Sequence, residues 1–406
     1  MVARAVRMLA PRPARGIMGR VMERILVLRL GHLGDVIHAL PAVAALRDAL
    51  PAARIGWAIE GRWTDLLFAS GQASAPRGSP EKPLVDEVHR VSTEAWRRSP
   101  LASRSWSEAA SAAIELRRAR YDAVVDLQGL WKSVLISRWC RAPIRIGFDR
   151  PKETGVRWFY TRRVAARRAH VVEQNLELAE ALTGRPAGKP RFPLPRDGAA
   201  EAWCGEELDR RGLTAFAMLS PGAGWGAKLW PAESYGGLAR ILLRQTGLPS
   251  LVNIGPEQEE LARAVESASG GAARRIECSV GRLVALTRRC SLLLGGDTGP
   301  VHLAAVLGVP VVALYGPTSP ARNGPYGDRT AVLRSAASRT SYAHVDRPDT
   351  GLRSIAPEEV AAAALRLLPA GLSAAAVAAR PAAERVKDES SRSVAEAPPG
   401  PWSHRE

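Results

Sequence analysis

The chain has few cysteines and no long apolar segment. Its four cysteines show none of the close spacing, such as CxxC, that marks metal or redox motifs, and a chain of 406 residues does not depend on disulfides for its core. We expect them to be reduced, in a cytoplasmic protein. No run approaches the roughly 20 consecutive apolar residues of a membrane-spanning helix, so the chain should not cross a bilayer. HxH, HExxH and DxD patterns are also absent, and we predict no metal site.

Positive charge is in large excess. Fifty-seven lysines and arginines against 40 acids give a net charge of +17. Such a surface attracts phosphates, nucleic acid, acidic lipid headgroups or an acidic sugar, and charge alone does not choose among them. No RNA-recognition, helix-turn-helix or zinc-finger signature is present. A basic nucleic-acid-binding protein therefore remains an alternative that only the charge favours.

Two series of apolar runs alternate with helical patterns. Together they predict two doubly wound α/β domains. The runs of the first series are ILVLRL, RIGWAIE, VDEVHRV and YDAVVDL, and those of the second are FAMLS, PSLVNIG, RRIECS, CSLLLGG and VPVVALYG.

Changes in composition set the expected domain boundaries. The first 24 residues carry six arginines and one acid. They resemble either a membrane-surface arm or extra residues ahead of the true start, and lack the apolar core of a secretory signal. The tail is rich in Ala, Pro and Ser, without a usable period. We expect a flexible arm over 1–23, an N-terminal Rossmann-like domain over 24–190, a linker over 191–212, a C-terminal Rossmann-like domain over 213–368 and a disordered tail over 369–406.

The loop GHLGD follows the first strand. In parallel α/β sheets ligands bind beyond the carboxyl ends of the strands, so this loop is a candidate site. Gly31 and Gly34 allow a tight turn, and Asp35 lies near the start of the next helix. Asp35 is either a helix cap or a general base that takes a proton from an acceptor hydroxyl. The pattern alone leaves both open.

Two loops of the second series suit an anionic ligand. In SPGAGWGAKLWP, Lys228 could neutralise a diphosphate as a point charge, although the loop is not a Walker A sequence. In GGDTGPVHLAA, Thr298 and Gly299 stand at a helix start with Pro300 at its first position, where free N–H groups bind pyrophosphate. His302, in the first turn, either faces the phosphates or packs against the sheet. A dinucleotide oxidoreductase is disfavoured, because GHLGD is not GxGxxG.

Further candidates are weaker. Glu257, Glu259 and Glu260 follow the strand PSLVNIG and suit ribose hydroxyls, or simply a helix start. Acceptor contacts are expected from Gln128 and Lys132 after YDAVVDL, and from a basic and aromatic loop. That loop contains Trp96, Arg97 and Arg98, which could equally be a solvated surface run.

Four segments in this order resemble glycosyltransferase family 9, the ADP-heptose:lipopolysaccharide heptosyltransferases. The resemblance runs from about Arg24 to about Leu368. Within the family, DLQGLWKS, IGFDR, KETGVRWFY and HVVEQN are more like the heptosyltransferase I branch than the enzymes that add the second heptose. The four segments are ILVLRLGHLGDVIHALPAV, YDAVVDLQGLWKS, SPGAGWGAKLWP and GGDTGPVHLAAVLGVPVVALYGPTSP.

The resemblance implies a GT-B fold, in which two Rossmann-like domains face a cleft. It implies inverting, metal-independent transfer of heptose from ADP-heptose to a Kdo residue of the lipid A inner core, with no cofactor. Asp35 would be the base and Glu259 the ribose ligand. One departure is His32 beside the base, where heptosyltransferase I often has serine. The donor would contact Lys228, Asp297, Thr298, Gly299 and His302, and the acceptor Gly34, Arg97, Arg98, Gln128 and Lys132.

The implied partners are the nucleotide sugar, the Kdo-lipid A acceptor and an anionic membrane surface, with no specific nucleic acid. The resemblance implies a cytoplasmic monomer, peripheral on the inner face of the inner membrane. The alternative within the family is a heptosyltransferase with a different acceptor.

Overall fold

Two parallel six-stranded sheets organise the chain. The computed structural model describes residues 22–99, 101–255, 258–341 and 346–369. The chain divides into two compact units. One runs to Cys204 and adds Ser279–Ala285 and Ala321–Gly324, while the other takes Gly205–Cys278, Leu286–Pro320 and the chain from Pro325 on.

The first sheet has the strand order β3-β2-β1-β4-β5-β6. Strands buried on both faces are continuously apolar, as the fully buried run Ile25–Leu28 illustrates. The order is that of a dinucleotide-binding sheet, and it reverses between β1 and β4. The strands are β1 (Arg24–Leu28), β2 (Arg54–Glu60), β3 (Glu87–Val91), β4 (Ala123–Asp126), β5 (Ile144–Phe148) and β6 (Arg162–Val164).

The helices of the first half follow the predicted pattern with one correction. Helix α5 ends where Gly184 takes a left-handed conformation (φ 70°), which glycine adopts without strain. Trp96, Arg97 and Arg98, expected in a loop, lie on helix α2, where Trp96 packs against Trp139. The helices are α1 (Leu33–Ala49), α2 (Thr93–Arg98), α3 (Ser103–Arg118), α4 (Trp131–Trp139) and α5 (Val171–Thr183), with 3₁₀ helices over Gly61–Leu66 and Thr154–Phe159.

The second sheet repeats the same topology. Its order, β12-β11-β10-β7-β8-β9, reverses between β7 and β10. The structure thus confirms the predicted α/β class with two doubly wound sheets. The strands are β7 (Ala217–Ser220), β8 (Ser250–Ile254), β9 (Ala273–Glu277), β10 (Leu292–Gly296), β11 (Val311–Tyr315) and β12 (Thr330–Arg334).

A helix lies inside the expected linker, 191–212. Residues Gly198–Arg210 form helix α6. The Asp197 carboxylate caps its start by accepting hydrogen bonds from the Ala199 and Ala200 backbone N–H groups, both at 3.0 Å. Spacing of four residues buries Ala200, Cys204 and Leu208 along one face. The later helices are α7 (Ala232–Thr246), α8 (Glu259–Ala268), α9 (Val280–Arg289), α10 (Gly299–Val306), α11 (Pro320–Asn323), α12 (Thr350–Arg353) and α13 (Pro357–Leu367), with a 3₁₀ helix over Gly226–Lys228.

The sequence predicted reduced cysteines and no membrane-spanning helix. None of the four cysteines forms a disulfide there. Over the same ranges, no helix combines the length and the apolar character needed to span a membrane.

A buried carboxylate fixes the turn after β4. Asp126 accepts hydrogen bonds from the backbone N–H groups of Gln128 (2.9 Å) and Gly129 (3.1 Å), and from the Ser133 and Tyr160 hydroxyls, both at 2.8 Å. Burial raises the pKa of Asp126, and these hydrogen bonds partly offset the rise. Asp126 therefore links the turn that carries Gln128 to Ser133 on α4 and to Tyr160.

Tyr160 reaches Asp126 only because Gly147 on β5 has no side chain. A β-carbon at Gly147 would lie 2.3 Å from the Tyr160 ring. We predict that Gly147→Ala displaces this ring and destabilises the fold by about 1–3 kcal/mol, as overpacking of a full core does. Urea unfolding should show a lowered midpoint. Gly61→Ala is the control, because its β-carbon would meet nothing within 4 Å, and equal stability of the two variants would contradict the prediction.

Candidate active site

Two loops of the first unit are tied together where its strand order reverses. The Gln128 side-chain oxygen, after β4, accepts a hydrogen bond from the backbone N–H of Leu30, after β1, at 3.0 Å. The Arg29 guanidinium donates to the Leu127 carbonyl, and the Trp57 indole N–H donates to the Arg29 carbonyl at 3.0 Å. Ligands of such sheets bind at this reversal point, so the loops form a preorganised edge of a site.

Asp35 forms an ion pair at this edge. It lies in the first turn of α1 and pairs with the guanidinium of Arg29, whose side chain is 3% exposed. The Asp35 side chain is 28% exposed and so keeps access to solvent. His32 is the N-cap residue, and it makes no side-chain capping hydrogen bond. The carboxylate of Asp35 is thus engaged by Arg29, and the start of α1 has no side-chain cap.

Nearby cations keep Asp35 ionised. Burial raises its pKa, but the Arg29 charge, His32 and the Lys152 charge outweigh burial and hold that pKa well below its usual range. Asp35 in turn raises the pKa of Lys152, yet desolvation and the Arg29 charge leave it below the ordinary value. The site thus combines one carboxylate with a nearby cluster of positive charge.

The remaining candidates of this unit are spread more widely. Gly34 is buried in the first turn of α1, and Gln128 is buried between the two loops. Lys132 is exposed at the start of α4. Arg97 and Arg98 are exposed on α2, and Arg98 pairs with Glu94 at 2.9 Å.

In the second unit, a buried carboxylate gathers the loops after β7 and β10. The Lys228 ammonium lies 2.5 Å from one oxygen of Asp297. The other oxygen contacts the His302 Nε2 atom at 3.2 Å and accepts a hydrogen bond from the Tyr315 hydroxyl at 3.4 Å. The Trp225 ring centroid lies 4.1 Å from the same ammonium. Lys228, Asp297 and His302, predicted as separate contacts, form one hydrogen-bonded group.

The Asp297 carboxylate is charged. Burial raises its pKa, but the hydrogen bond and charge of His302 and the Lys228 ammonium together hold that pKa well below the usual range. Burial and the Asp297 charge raise the pKa of Tyr315, which therefore stays a neutral donor. A lysine whose charge is fixed in this way is positioned for an anionic ligand.

The loop after β10 leads directly into helix α10. Thr298 is the N-cap residue and Gly299 the first helical residue, while Pro300 is the second rather than the first. The Thr298 hydroxyl bonds to the Gly296 carbonyl at 3.2 Å and makes no side-chain capping bond. The N–H groups of this first turn thus point toward the loop end of the sheet.

Glu259 has a more exposed position. It begins α8 and pairs with Arg263 at 2.7 Å and with Arg275 at 3.3 Å, and its side chain is 59% exposed. Its neighbour Gln258 packs against Gly222 of the loop after β7. Glu257, the other acid of this segment, lies outside the described residues.

No group of three or more His, Cys, Asp or Glu in the part of the chain that the structure describes is arranged to hold a metal ion.

Comparison with known families supplies the deciding observation. Residues 110–350 match the model of glycosyltransferase family 9 (heptosyltransferase), which is more than half of the chain. The chain belongs to glycosyltransferase family 9.

Individual relatives agree with this membership. Lipopolysaccharide heptosyltransferase 1 of Pseudomonas aeruginosa is 30% identical over 75% of this chain and 81% of that protein. The Escherichia coli K12 protein of the same name is 27% identical over 77% and 93%. A family 9 glycosyltransferase from Veillonella parvula superposes with a TM-score of 0.71 and 25% identity over 85% and 97%. The E. coli heptosyltransferase WaaC with ADP gives 0.66 and 23% over 85% and 99%.

Family 9 membership confirms that the chain is an enzyme with the GT-B fold. The nucleic-acid-binding alternative, favoured only by charge, is set aside. The resemblance to heptosyltransferase I noted from the sequence is also confirmed by the relatives of that name.

Three residues of the two candidate sites were not predicted from the sequence. Arg29 stands directly after β1, so its position at the strand end was a usable signal. Lys152 and Tyr315 reach the site through the fold, and their distance from Asp35 and Asp297 in the sequence gave no signal.

We predict that Arg29→Met raises the pKa of Asp35, because burial then acts without the strongest opposing charge. Carboxyl-carbon NMR titration, with the signal assigned from Asp35→Asn, measures this pKa. Arg54→Met, which removes an arginine paired with Glu87 on the same sheet, should leave it unchanged. An Asp35 pKa equal in wild type and Arg29→Met would show that Arg29 does not set it.

Proposed function

We propose that this enzyme transfers heptose from ADP-heptose to a Kdo residue of the lipid A inner core, with inversion and without a metal ion. The observation that carries the proposal is the Asp35 carboxylate, ionised beside Arg29 at the reversal point of the first sheet. Family membership and the heptosyltransferase 1 relatives support the heptosyl donor and the lipopolysaccharide acceptor.

Asp35 acts as general base. As the Kdo hydroxyl oxygen bonds to the anomeric carbon of heptose, its proton becomes acidic and passes to the carboxylate. The bond from that carbon to the ADP oxygen breaks in the same step, so the configuration inverts. A carboxylate with a depressed pKa remains ionised at neutral pH, which keeps it ready to accept the proton.

Lys228 and the first turn of α10 stabilise the leaving diphosphate. Negative charge grows on the ADP oxygens as the bond breaks, and preorganised donors lower the free energy of that state. Asp297 holds Lys228 and His302 in place, and the N–H groups at Thr298 and Gly299 add the helix dipole. Glu259 is the proposed ribose ligand. These groups supply the charge stabilisation that a metal ion gives in other transferases.

The acceptor is an anionic sugar and needs cations. We assign the acceptor carboxylate to three cations, Lys132, Arg97 and Arg98. Gln128 and Gly34 contact the acceptor at the loop edge. We add Lys152 to this set because its charge acts on Asp35. Lipid A precursors are membrane-bound, and a chain of charge +17 is drawn to an anionic leaflet. We therefore propose a monomeric, peripheral enzyme on the inner face of the inner membrane.

Asp35→Asn should abolish turnover, and circular dichroism checks that the variant still folds without the charge opposite Arg29. We expect acceptor-dependent ADP release to fall about 10²- to 10⁴-fold, because an amide cannot accept the proton. ADP release is measured with ADP-heptose, with and without Kdo-lipid A. Asp48→Asn is the matched control on the same helix, since Asp48 is 61% exposed and pairs with Arg191 on the surface.

Two further arms of this assay separate the parts of the proposal. Excess EDTA should leave the wild-type rate unchanged, and a rate restored only by added metal would contradict metal independence. Folded wild type that releases no ADP with Kdo-lipid A, but does so with a heptosylated acceptor, would replace our acceptor with that of another heptosyltransferase.

Lys228→Met should weaken ADP binding about ten- to a hundredfold, the range for a lost hydrogen bond to a charged group. Isothermal titration calorimetry with ADP measures this change, and Lys228→Arg should retain part of the affinity. Lys189→Met removes an exposed lysine of the other unit as the control. Unchanged affinity in Lys228→Met would remove this lysine from the donor site.

A further inference from the structure

A patch of exposed apolar side chains and arginines lies on the first unit, on α4, the 3₁₀ helix Thr154–Phe159 and β6. Phe159 contacts Trp131 and Arg138 on α4 and follows Trp158 in the chain. We call this surface the Trp158 patch. Its members are Trp131, Leu135, Arg138, Arg157, Trp158 and Arg163.

Ring contacts form two groups within the patch, which meet where Trp158 and Phe159 follow each other in the chain. Trp131, Leu135 and Arg138 follow one another at helical spacing along the exposed side of α4. The Phe159 ring lies 5.4 Å from the Trp131 ring and 6.0 Å from the Arg138 guanidinium. Next to Phe159 in the chain, Trp158 has the guanidinium groups of Arg157 and Arg163 at 4.6 and 5.2 Å from its ring.

The apolar members are unusually exposed for their size. Trp131 is 46% exposed, Leu135 57% and Trp158 67%. Single exposed apolar residues are ordinary, but adjacent large ones commonly mark an interaction surface. Burying these side chains against an apolar partner would lower the free energy through the hydrophobic effect.

The arginines of the patch have no acidic partner in the described part of the chain. Among the described residues, no carboxylate oxygen lies within 4.0 Å, the limit for an ion pair, of the guanidinium of Arg138, Arg157 or Arg163. The surface around Trp106 on α3 differs, although this tryptophan is 68% exposed. There Arg104, two residues before Trp106 in the chain, pairs with Glu108 at 2.8 Å.

We infer that the Trp158 patch docks on an anionic lipid bilayer. Tryptophan favours the interface between headgroups and acyl chains, and arginines without carboxylate partners are available to lipid phosphates. This inference rests on the proposed function in one respect. Lys132, assigned to the acceptor, begins the same helix as Trp131 and Leu135, so docking would bring the acceptor-binding edge to a lipid-linked substrate.

Vesicle co-sedimentation of the full chain tests the inference. Wild type should bind vesicles of phosphatidylglycerol and phosphatidylcholine, and bind pure phosphatidylcholine far more weakly. Leu135→Ala/Trp158→Ala should lower the partition coefficient about tenfold or more. Arg157→Gln/Arg163→Gln should lower it about thirtyfold, at about 1 kcal/mol for each charge. Trp106→Ala is the matched control and should bind as wild type does, with circular dichroism confirming folding throughout.

Two results would overturn the inference. One is equal vesicle binding by wild type and both patch variants. The other is a wild-type dimer, seen by sedimentation velocity, that the patch substitutions dissociate, because a second copy would then be the occupant. Turnover of a deacylated acceptor in solution should be unchanged in the patch variants. Wild type that binds vesicles but fails to turn over this acceptor would reject the proposed function and leave the docking surface standing.

Discussion

The ion pair between Arg29 and Asp35 is the constraint on which the first unit's chemistry depends. A buried guanidinium is costly unless its charge and its donors are satisfied. Arg29 pairs with the Asp35 carboxylate and donates to the Leu127 carbonyl, while its buried Nε has no hydrogen-bond partner among the described residues. The two contacts fix the loop after β1 to the loop after β4. The Asp35 carboxylate is therefore positioned by the same contact that holds the sheet edge together.

In the second unit the signs are reversed, because the buried charge is a carboxylate and not a guanidinium. There the buried group is the Asp297 carboxylate, and Lys228 and His302 satisfy it. Both sheets have the same strand order, and both pairs lie where that order reverses. One repeated topology thus holds a carboxylate that can accept a proton in the first unit, and a cation that can bind a phosphate in the second.

The sequence predicted the parts of this arrangement that depend on local pattern. Apolar runs with a glycine turn placed Asp35 near the start of the helix after a strand, and Lys228 and Asp297 in segments that follow strands, which the structure confirms. It did not predict β5 (Ile144–Phe148), whose arginine and glycine interrupt the apolar run, or the pairing of Tyr160 with Asp126, 34 residues apart. Partners of buried charges come from tertiary packing, and side chains far apart in the sequence carry no local signal for it.

The net charge does not show which surface attracts anions, and the ion pairs must be assigned before it can be interpreted. A total of +17 is compatible with any anionic partner. On α3, Arg104, two residues before the exposed Trp106, pairs with Glu108 one turn away, and an exposed ion pair of this kind has little net attraction for an anion. Around Trp158, the arginines stack on the ring and have no carboxylate partner among the described residues. Two surfaces with similar composition therefore differ in unpaired charge, and the proposed docking on a bilayer depends on that difference.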